Sequence, residues 1–231
     1  MKLFSYESRF SQWMLKLSYS CCLNVLWFIC SIPVITIGAS TTALYYVSRK
    51  VAKGEEGRII PQFFRSFRQN FRQATVIWLI LLAVGGVLLG NGYAAARLRQ
   101  ANTGAPAVMW TLILALIIGA AVIYTIILLF IFPLVSAVSN TTPAMFKNAF
   151  LIGTHYLFAT IMVFAVHFAV FFAVVRIFTP LIIFGEGLCA LISSALLDRI
   201  LTAVSYDPEA EKEDDAGIGS ANAWTKESGG K

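Results

Sequence analysis

The chain has 231 residues, 58% of them hydrophobic and 13% charged, with a formal net charge of +6 and a mean hydropathy of +0.75. Soluble domains carry about 25% charged residues, so this composition excludes an ordinary water-soluble globule and points to the bilayer. The apolar runs are too long and continuous for barrel strands, which alternate over short segments, and helices are the remaining way to satisfy a backbone in lipid.

Crossing roughly 30 Å of hydrocarbon takes about 20 apolar residues. In chain order the stretches that fit are 17–37, 75–95, 108–132, 150–175 and 178–197. The predicted fold is all-α, a polytopic transmembrane bundle of about five helices over residues 1–205, followed by a tail at 206–231. The first stretch exceeds the roughly 7–15-residue core of a signal peptide, so it reads as an uncleaved anchor. Cys21, Cys22 and Cys30 lie in it and Cys189 lies in the last stretch, with no CxxC pair and no adjacent His. They read as packing residues. No metal site is expected, because zinc needs converging N or S ligands.

The segment 49–73 holds Arg49, Lys50, Lys53, Arg58, Arg65, Arg68 and Arg72 against Glu55 and Glu56. Cytoplasmic loops concentrate Lys and Arg, which places this segment inside. Alternating crossings then put 97–106 outside, Lys147 inside, Arg176 outside, the C-terminus in the cytoplasm and the N-terminus outside. The lead is basic as well, with Lys2, Arg9 and Lys16 against Glu7, and the same rule would draw it inside. A break at Pro33 and Gly38 into a bent or re-entrant pair is the arrangement that would reconcile the two; the expectation adopted is N-outside.

Within the basic segment, Ile60, Phe63, Phe64, Phe67 and Phe71 follow helical spacings, with Arg65, Arg68 and Arg72 on or beside the other face. Such a basic amphipathic helix lies in the interface against anionic lipid. The sharper alternative is a docking face for a cytoplasmic partner such as a transporter ATPase. Nucleic-acid binding is not expected of so short a strip.

The two halves contain similar motifs. Ile32-Pro33-Val34-Ile35-Thr36 precedes Ser40-Thr41-Thr42, and one hundred residues later Phe132-Pro133-Leu134-Val135-Ser136 precedes Asn140-Thr141-Thr142. Each leads to an aromatic-basic patch, Phe67-Arg68-Gln69-Asn70-Phe71 and then Phe146-Lys147-Asn148-Ala149-Phe150. A two-helix repeat with both copies in the same orientation is predicted, as in several transport folds. Pro33 and Pro133 read as helix breaks followed by a Ser/Thr cap, with a hinge or solute-lining kink as the alternative.

The segment Trp27-Phe28-Ile29-Cys30-Ser31-Ile32-Pro33-Val34-Ile35-Thr36-Ile37-Gly38-Ala39-Ser40-Thr41-Thr42-Ala43 resembles the N-terminal signature of the YesL-like bacterial membrane proteins. Phe63-Phe64, Ser66-Phe67, Asn70-Phe71 and Gln73-Ala74-Thr75 fit the same pattern, and the resemblance covers roughly residues 1–200. It implies a domain of unknown function from Gram-positive bacteria, encoded near carbohydrate uptake and polysaccharide-degrading genes. It implies no catalytic or binding residue.

Ionisable groups inside lipid are costly and are functional candidates by default. Glu186, between Gly185 and Gly187, leads these candidates, with His167, Arg176, His155 and Asn24 beside it and Tyr124 as a lesser one. They form either a solute or proton site or a structural set in which Glu186 pairs with Arg176 and His167 bonds across the bundle. Gly86-xxx-Gly90 and Ala115-xxx-Gly119 permit close helix approach and are expected to pack within one chain rather than to form a dimer seam. There is no His-Glu-x-x-His, no Gly-rich phosphate loop and no Ser, His and Asp set, so neither enzymatic activity nor a cofactor is expected. The tail, with Asp207, Glu209, Glu211, Glu213, Asp214 and Asp215, is read as disordered; an acidic docking segment is the alternative.

These readings lead to a multi-pass protein of the bacterial plasma membrane. Its expected role is accessory or regulatory in carbohydrate uptake, with a carbohydrate ABC transporter component as the candidate partner. The alternative is a small-solute transporter or channel with Glu186 and His167 along its path.

Overall fold

In the computed structural model, residues 9–55, 57–176 and 182–205 are described. Among them are seven α-helices and no strand: α1 Arg9–Ser31, α2 Ile37–Lys53, α3 Ile59–Ala101, α4 Ala105–Val135, α5 Thr142–His155, α6 Leu157–Arg176 and α7 Ile182–Ser205. Four of them, α1, α3, α4 and α6, are long and apolar enough to cross a membrane. The expected bundle of about five spans is thus a seven-helix bundle with four candidate spans among the described residues. The expected fifth, α7, begins at Ile182, and residues 178–181 of that stretch lie outside the described set, as does the tail 206–231.

The first expected span does not run to residue 37. It stops at Ser31, because Pro33 has no N–H with which to continue a helix, and the chain turns through a short 3-10 segment, Val34–Thr36. The Thr36 hydroxyl lies 2.6 Å from the Cys30 carbonyl oxygen and 2.7 Å from that of Pro33, donating back to the carbonyls left open at the break. Thr36 makes no side-chain cap for α2, and Thr141 makes none for α5. The expected Ser/Thr cap is therefore replaced by a hydroxyl that serves the end of the preceding helix.

Past this turn, α2 folds back along α1. Trp27 Nε1 donates to Thr41 Oγ1 at 3.0 Å, Ser40 Oγ donates to the Trp27 carbonyl at 3.0 Å, and Lys16 Nζ donates to the Ala52 carbonyl at 3.0 Å. Lys16 and the Arg49 region therefore share one end of the bundle, where the sequence reading set them on opposite sides. Gly54 ends α2 with φ +76. Its N–H bonds to the Val51 carbonyl and that of Glu55 to the Lys50 carbonyl, the paired bonds of a Schellman stop.

Eleven of the 17 residues of α2 are buried, and it packs on α1, α3, α4 and α7, so it is the central helix. A Cβ on Gly38 would collide with the Ala74 carbonyl oxygen and the Trp78 side chain of α3, which shows how closely the two backbones meet. At 1.5 Å per residue, the 43 residues of α3 run about 64 Å, twice the hydrocarbon thickness. Residues 59–73 are thus the first turns of α3 itself and not a separate helix lying in the interface. Phe63 is fully buried and Phe67 packs against the core, whereas Phe64 and Phe71 are exposed together with Arg65, Arg68 and Arg72.

Gly104, at φ +68, turns the chain into α4, which returns along α3; Tyr124 Oη donates to the Leu81 carbonyl at 3.1 Å. Pro133 sits in the last turn of α4, and Ser136 Oγ donates to its carbonyl at 2.6 Å, as Thr36 does to Pro33. The chain then folds back again, with Gly153 of α5 against Ile126 and Phe130 of α4. Tyr156 divides the expected span 150–175 into α5 and α6.

The expected repeat orientation is also corrected. Because α1, α2, α3 and α4 are successively antiparallel, α1 and α4 run in opposite directions, so the two Pro turns are related by reversal and not by a parallel repeat. The first aromatic-basic patch lies in α3 and the second in α5. Gly86, Gly90 and Gly119 have nothing within 4 Å of an added Cβ, so the expected close packing within the chain is absent at these glycines. Gly85 faces Tyr124 instead.

Overpacking costs about 1–3 kcal/mol. Gly38→Val is accordingly expected to lower the midpoint of thermal unfolding in detergent by several degrees, while Gly86→Ala leaves it unchanged; equal midpoints would contradict this packing.

Candidate functional site

The best-defined polar site lies inside the bundle, where α1, α2, α3, α4, α6 and α7 converge. A cavity of about 220 Å3 is lined by Trp27, Thr41, Tyr45, Trp78, Phe132, His167 and Glu186, with Ile37, Leu128 and Leu129 completing the wall. Glu186 is turned into it by the glycines on either side. A Cβ on Gly185 would meet Val170 of α6 at 3.0 Å, and one on Gly187 would meet the Ser20 carbonyl of α1 at 2.5 Å. Each glycine lets a neighbouring helix close on α7, leaving Glu186 between the two contacts.

His167 is oriented by its own helix. Its Nδ1 lies 2.8 Å from the Val163 carbonyl oxygen, which only accepts, so Nδ1 carries a proton. The neutral ring then presents the Nε2 lone pair, and Tyr45 Oη, 3.4 Å away on α2, donates to it. Tyr45 is 3% exposed. Glu186 and His167 are close enough to interact electrostatically.

The walls are apolar. Both indole N–H groups are engaged elsewhere, Trp27 with Thr41 and Trp78 with the Val34 carbonyl at 2.7 Å. Neither indole therefore offers the cavity a free donor. Trp78 also packs on Phe132, with centroids 6.4 Å apart.

The other sequence candidates lie elsewhere. Asn24 is fully buried, and its Oδ1 accepts the Gly187 N–H at 2.7 Å, joining α1 to α7 next to Glu186. Arg176 is exposed at the end of α6; among the described residues it forms no ion pair with Glu186, so that expected pairing is absent. His155 is exposed at the end of α5 against the Tyr156 ring. Pro33 and Pro133 end helices outside the cavity wall. Phe64, Arg65, Arg68, Phe71 and Arg72 precede Trp78, the α3 residue in the cavity wall, and are exposed on the outer face of that helix.

Sequence reasoning passed over Tyr45, Thr41, Trp27 and Trp78, and also Asp198. Asp198 receives Lys53 at 3.1 Å and Arg49 at 3.7 Å. Burial pushes the Arg49 guanidinium below its ordinary value, and the Asp198 carboxylate pulls it back. One signal was available for Asp198: with Glu186 it is one of the two acids of α7.

Apolar helices of spanning length packed around a cavity that holds Glu186 and His167 define a polytopic helical membrane protein. The chain is similar to the YesL-like proteins. Residues 21–91 match the family model described as protein of unknown function, DUF624, a segment that includes Asn24, Trp27, Tyr45 and Trp78. The chain is also 24% identical over 209 residues to the uncharacterized protein YesL of Bacillus subtilis (strain 168), covering 89% of this chain and 94% of that one. No solved structure matches.

An orphaned buried donor costs about 1–3 kcal/mol. Asn24→Ala should therefore destabilise the detergent-solubilised protein by about that amount, measured by thermal unfolding.

Proposed function

We propose that this is a multi-pass protein of the bacterial plasma membrane that receives a small polyhydroxylated solute at the Glu186, His167 and Tyr45 cavity. The observation that carries this reading is the convergence of a carboxylate, an imidazole and a phenol from three helices on one partly open cavity, where ionisable groups are costly unless used. At about 30 Å3 per water, the cavity holds several waters or one small solute. Hydroxyl groups of that solute donate to the Glu186 carboxylate and to His167 Nε2, displacing the long Tyr45 bond. Its apolar face lies against Trp27 or Trp78. This chemistry accords with the carbohydrate setting that the family resemblance implies, and it belongs to a transporter or a membrane-embedded sensor.

A second reading, an accessory subunit of a carbohydrate ABC transporter, draws on a different observation. Phe64, Arg65, Arg68, Phe71 and Arg72 are exposed on the first turns of a helix about twice as long as the hydrocarbon is thick. The strip is then held on a rigid arm, which suits docking to a cytoplasmic partner. Arg68→Glu with Arg72→Glu is expected to abolish co-purification of a transport component from mild detergent, with the cavity intact.

For the leading reading the measurement is uptake of labelled mono- and disaccharides into proteoliposomes, alongside growth of a deletion strain across carbon sources. Glu186→Gln and His167→Gln should each reduce uptake at least about tenfold, the equivalent of about 1.4 kcal/mol of solute interaction. Uptake that is unaltered in both variants would remove the cavity from the function.

A further inference from the structure

A second space adjoins the last turn of α4. It measures about 350 Å3 and is lined by Tyr46 of α2, by Ser66, Gln69 and Asn70 of α3, and by Ser136 and Ser139 beyond α4. Its surroundings are held in place. Gln73 Nε2 donates to the Asn140 carbonyl at 2.6 Å, which ties α3 to the α4–α5 connection, and Asn140 Oδ1 accepts the Thr141 N–H at 2.8 Å. Asn70 is oriented from within its own helix, its Nδ2 lying 3.1 Å from the Ser66 carbonyl oxygen and 3.3 Å from Ser66 Oγ.

This space and the Glu186 cavity are neighbours. Phe132 borders the cavity and Val135 borders the second space, with Pro133 between them in the chain. On α2 the adjacent residues Tyr45 and Tyr46 divide in the same way. On α3, Trp78 and Asn70 stand about 12 Å of helix apart, with the fully buried Ala74 between them.

The wall decides what can bind. Among the described residues it contains no charged side chain. Lys50 sits over the Tyr46 ring, 4.9 Å from its centroid, and Arg65, Arg68 and Arg72 are exposed; none of the four belongs to the wall. A bound cation would want acceptors and a bound anion donors, whereas carboxamides and hydroxyls offer both. The complement of such a wall is a group that also does both, a neutral hydroxyl. At about 30 Å3 per water the space holds about twelve waters, far more room than a bare ion needs and enough for a mono- or disaccharide.

We propose that this space is a second binding site for a neutral polyhydroxylated solute, adjoining the Glu186 cavity across the Pro133 turn. The solute hydroxyls exchange hydrogen bonds with the Gln69 and Asn70 carboxamides and with Ser139. The solute class follows from the wall itself; the inference rests on the reading of the Glu186 cavity only for the order of the two sites. A solute leaving that cavity past Phe132 meets this site next. The partition it passes is the last turn of α4, where Pro133 has no N–H to give to the helix.

Photolabelling of the full chain in proteoliposomes tests this, with diazirine derivatives of glucose and maltose as probes and mass spectrometry to map the adducts. Adducts are expected on the peptides that hold Gln69 and Ser139, suppressed by excess unlabelled glucose or maltose and retained in Glu186→Gln. Gln69→Ala with Asn70→Ala should cut this labelling about tenfold, the worth of two neutral hydrogen bonds. Both Asn70 bonds lie within α3 and Gln69 is exposed, so the double variant should keep the wild-type unfolding midpoint. Ser139→Ala, in the connection, should weaken the labelling without altering either helix. Adducts confined to the Trp78 peptide leave the cavity reading standing and overturn this one. Adducts at Gln69 and Ser139 support the second site whatever the cavity does. The proposal is equally overturned if neither peptide is labelled, if the double variant labels like the wild type, or if sodium chloride suppresses the adducts and maltose does not.

Discussion

The close approach of α2 to α3 at Gly38 is the contact on which the other helices depend. Between helices in lipid, association rests on van der Waals packing and interhelical bonds, because the surrounding tails are as apolar as the side chains. Small residues at the crossing therefore set the geometry. With the Ala74 carbonyl against Gly38, α2 lies deep in the bundle, touching α1, α3, α4 and α7. That position brings Tyr45 to His167 and Arg49 and Lys53 to Asp198. A side chain at residue 38 would push α2 outward and separate both sets together.

The two carboxylates of α7 have different surroundings and different uses. Asp198 lies at the basic end, partly exposed, between two cations, and it fastens α7 to α2. Glu186 has no such cation beside it among the described residues; it faces an imidazole and aromatic walls across a cavity. Asn24 reinforces the difference by holding the backbone of Gly187 to α1, so the neighbouring carboxylate is held in place by backbone contacts and not by its own bonds. A group positioned in that way keeps its acceptor capacity for another molecule.

Trp78 links the two Pro turns. Its indole N–H holds the Val34 carbonyl of the first turn, and its ring packs on Phe132 at the second. The turns reach it from helices that run in opposite directions, and in both a hydroxyl three residues on donates to the proline carbonyl. The reversal in this chain places the cavity beside Trp78, close to where the two turns meet.

Much of this architecture was legible in the residues alone. The apolar stretches pointed to a helical membrane protein, since runs this long and continuous are not barrel strands and helices are then what satisfies the backbone in lipid. The two prolines marked helix ends, and Glu186 between two glycines stood out as an isolated charge. Residues 37–53 were misread because α2 is moderately polar and short: it is buried by protein, not by lipid, so hydropathy does not reveal it. Without α2, the alternation of crossings came out one turn short, Lys16 was set apart from the Arg49 region it packs beside, and the repeat was given a parallel orientation. Local chemistry decides whether a segment is helical and whether it tolerates hydrocarbon. Which helix lies at the centre, and which of Arg176, His155 and Tyr45 meets Glu186, depends on contacts between residues more than one hundred positions apart, and only the tertiary structure decided them.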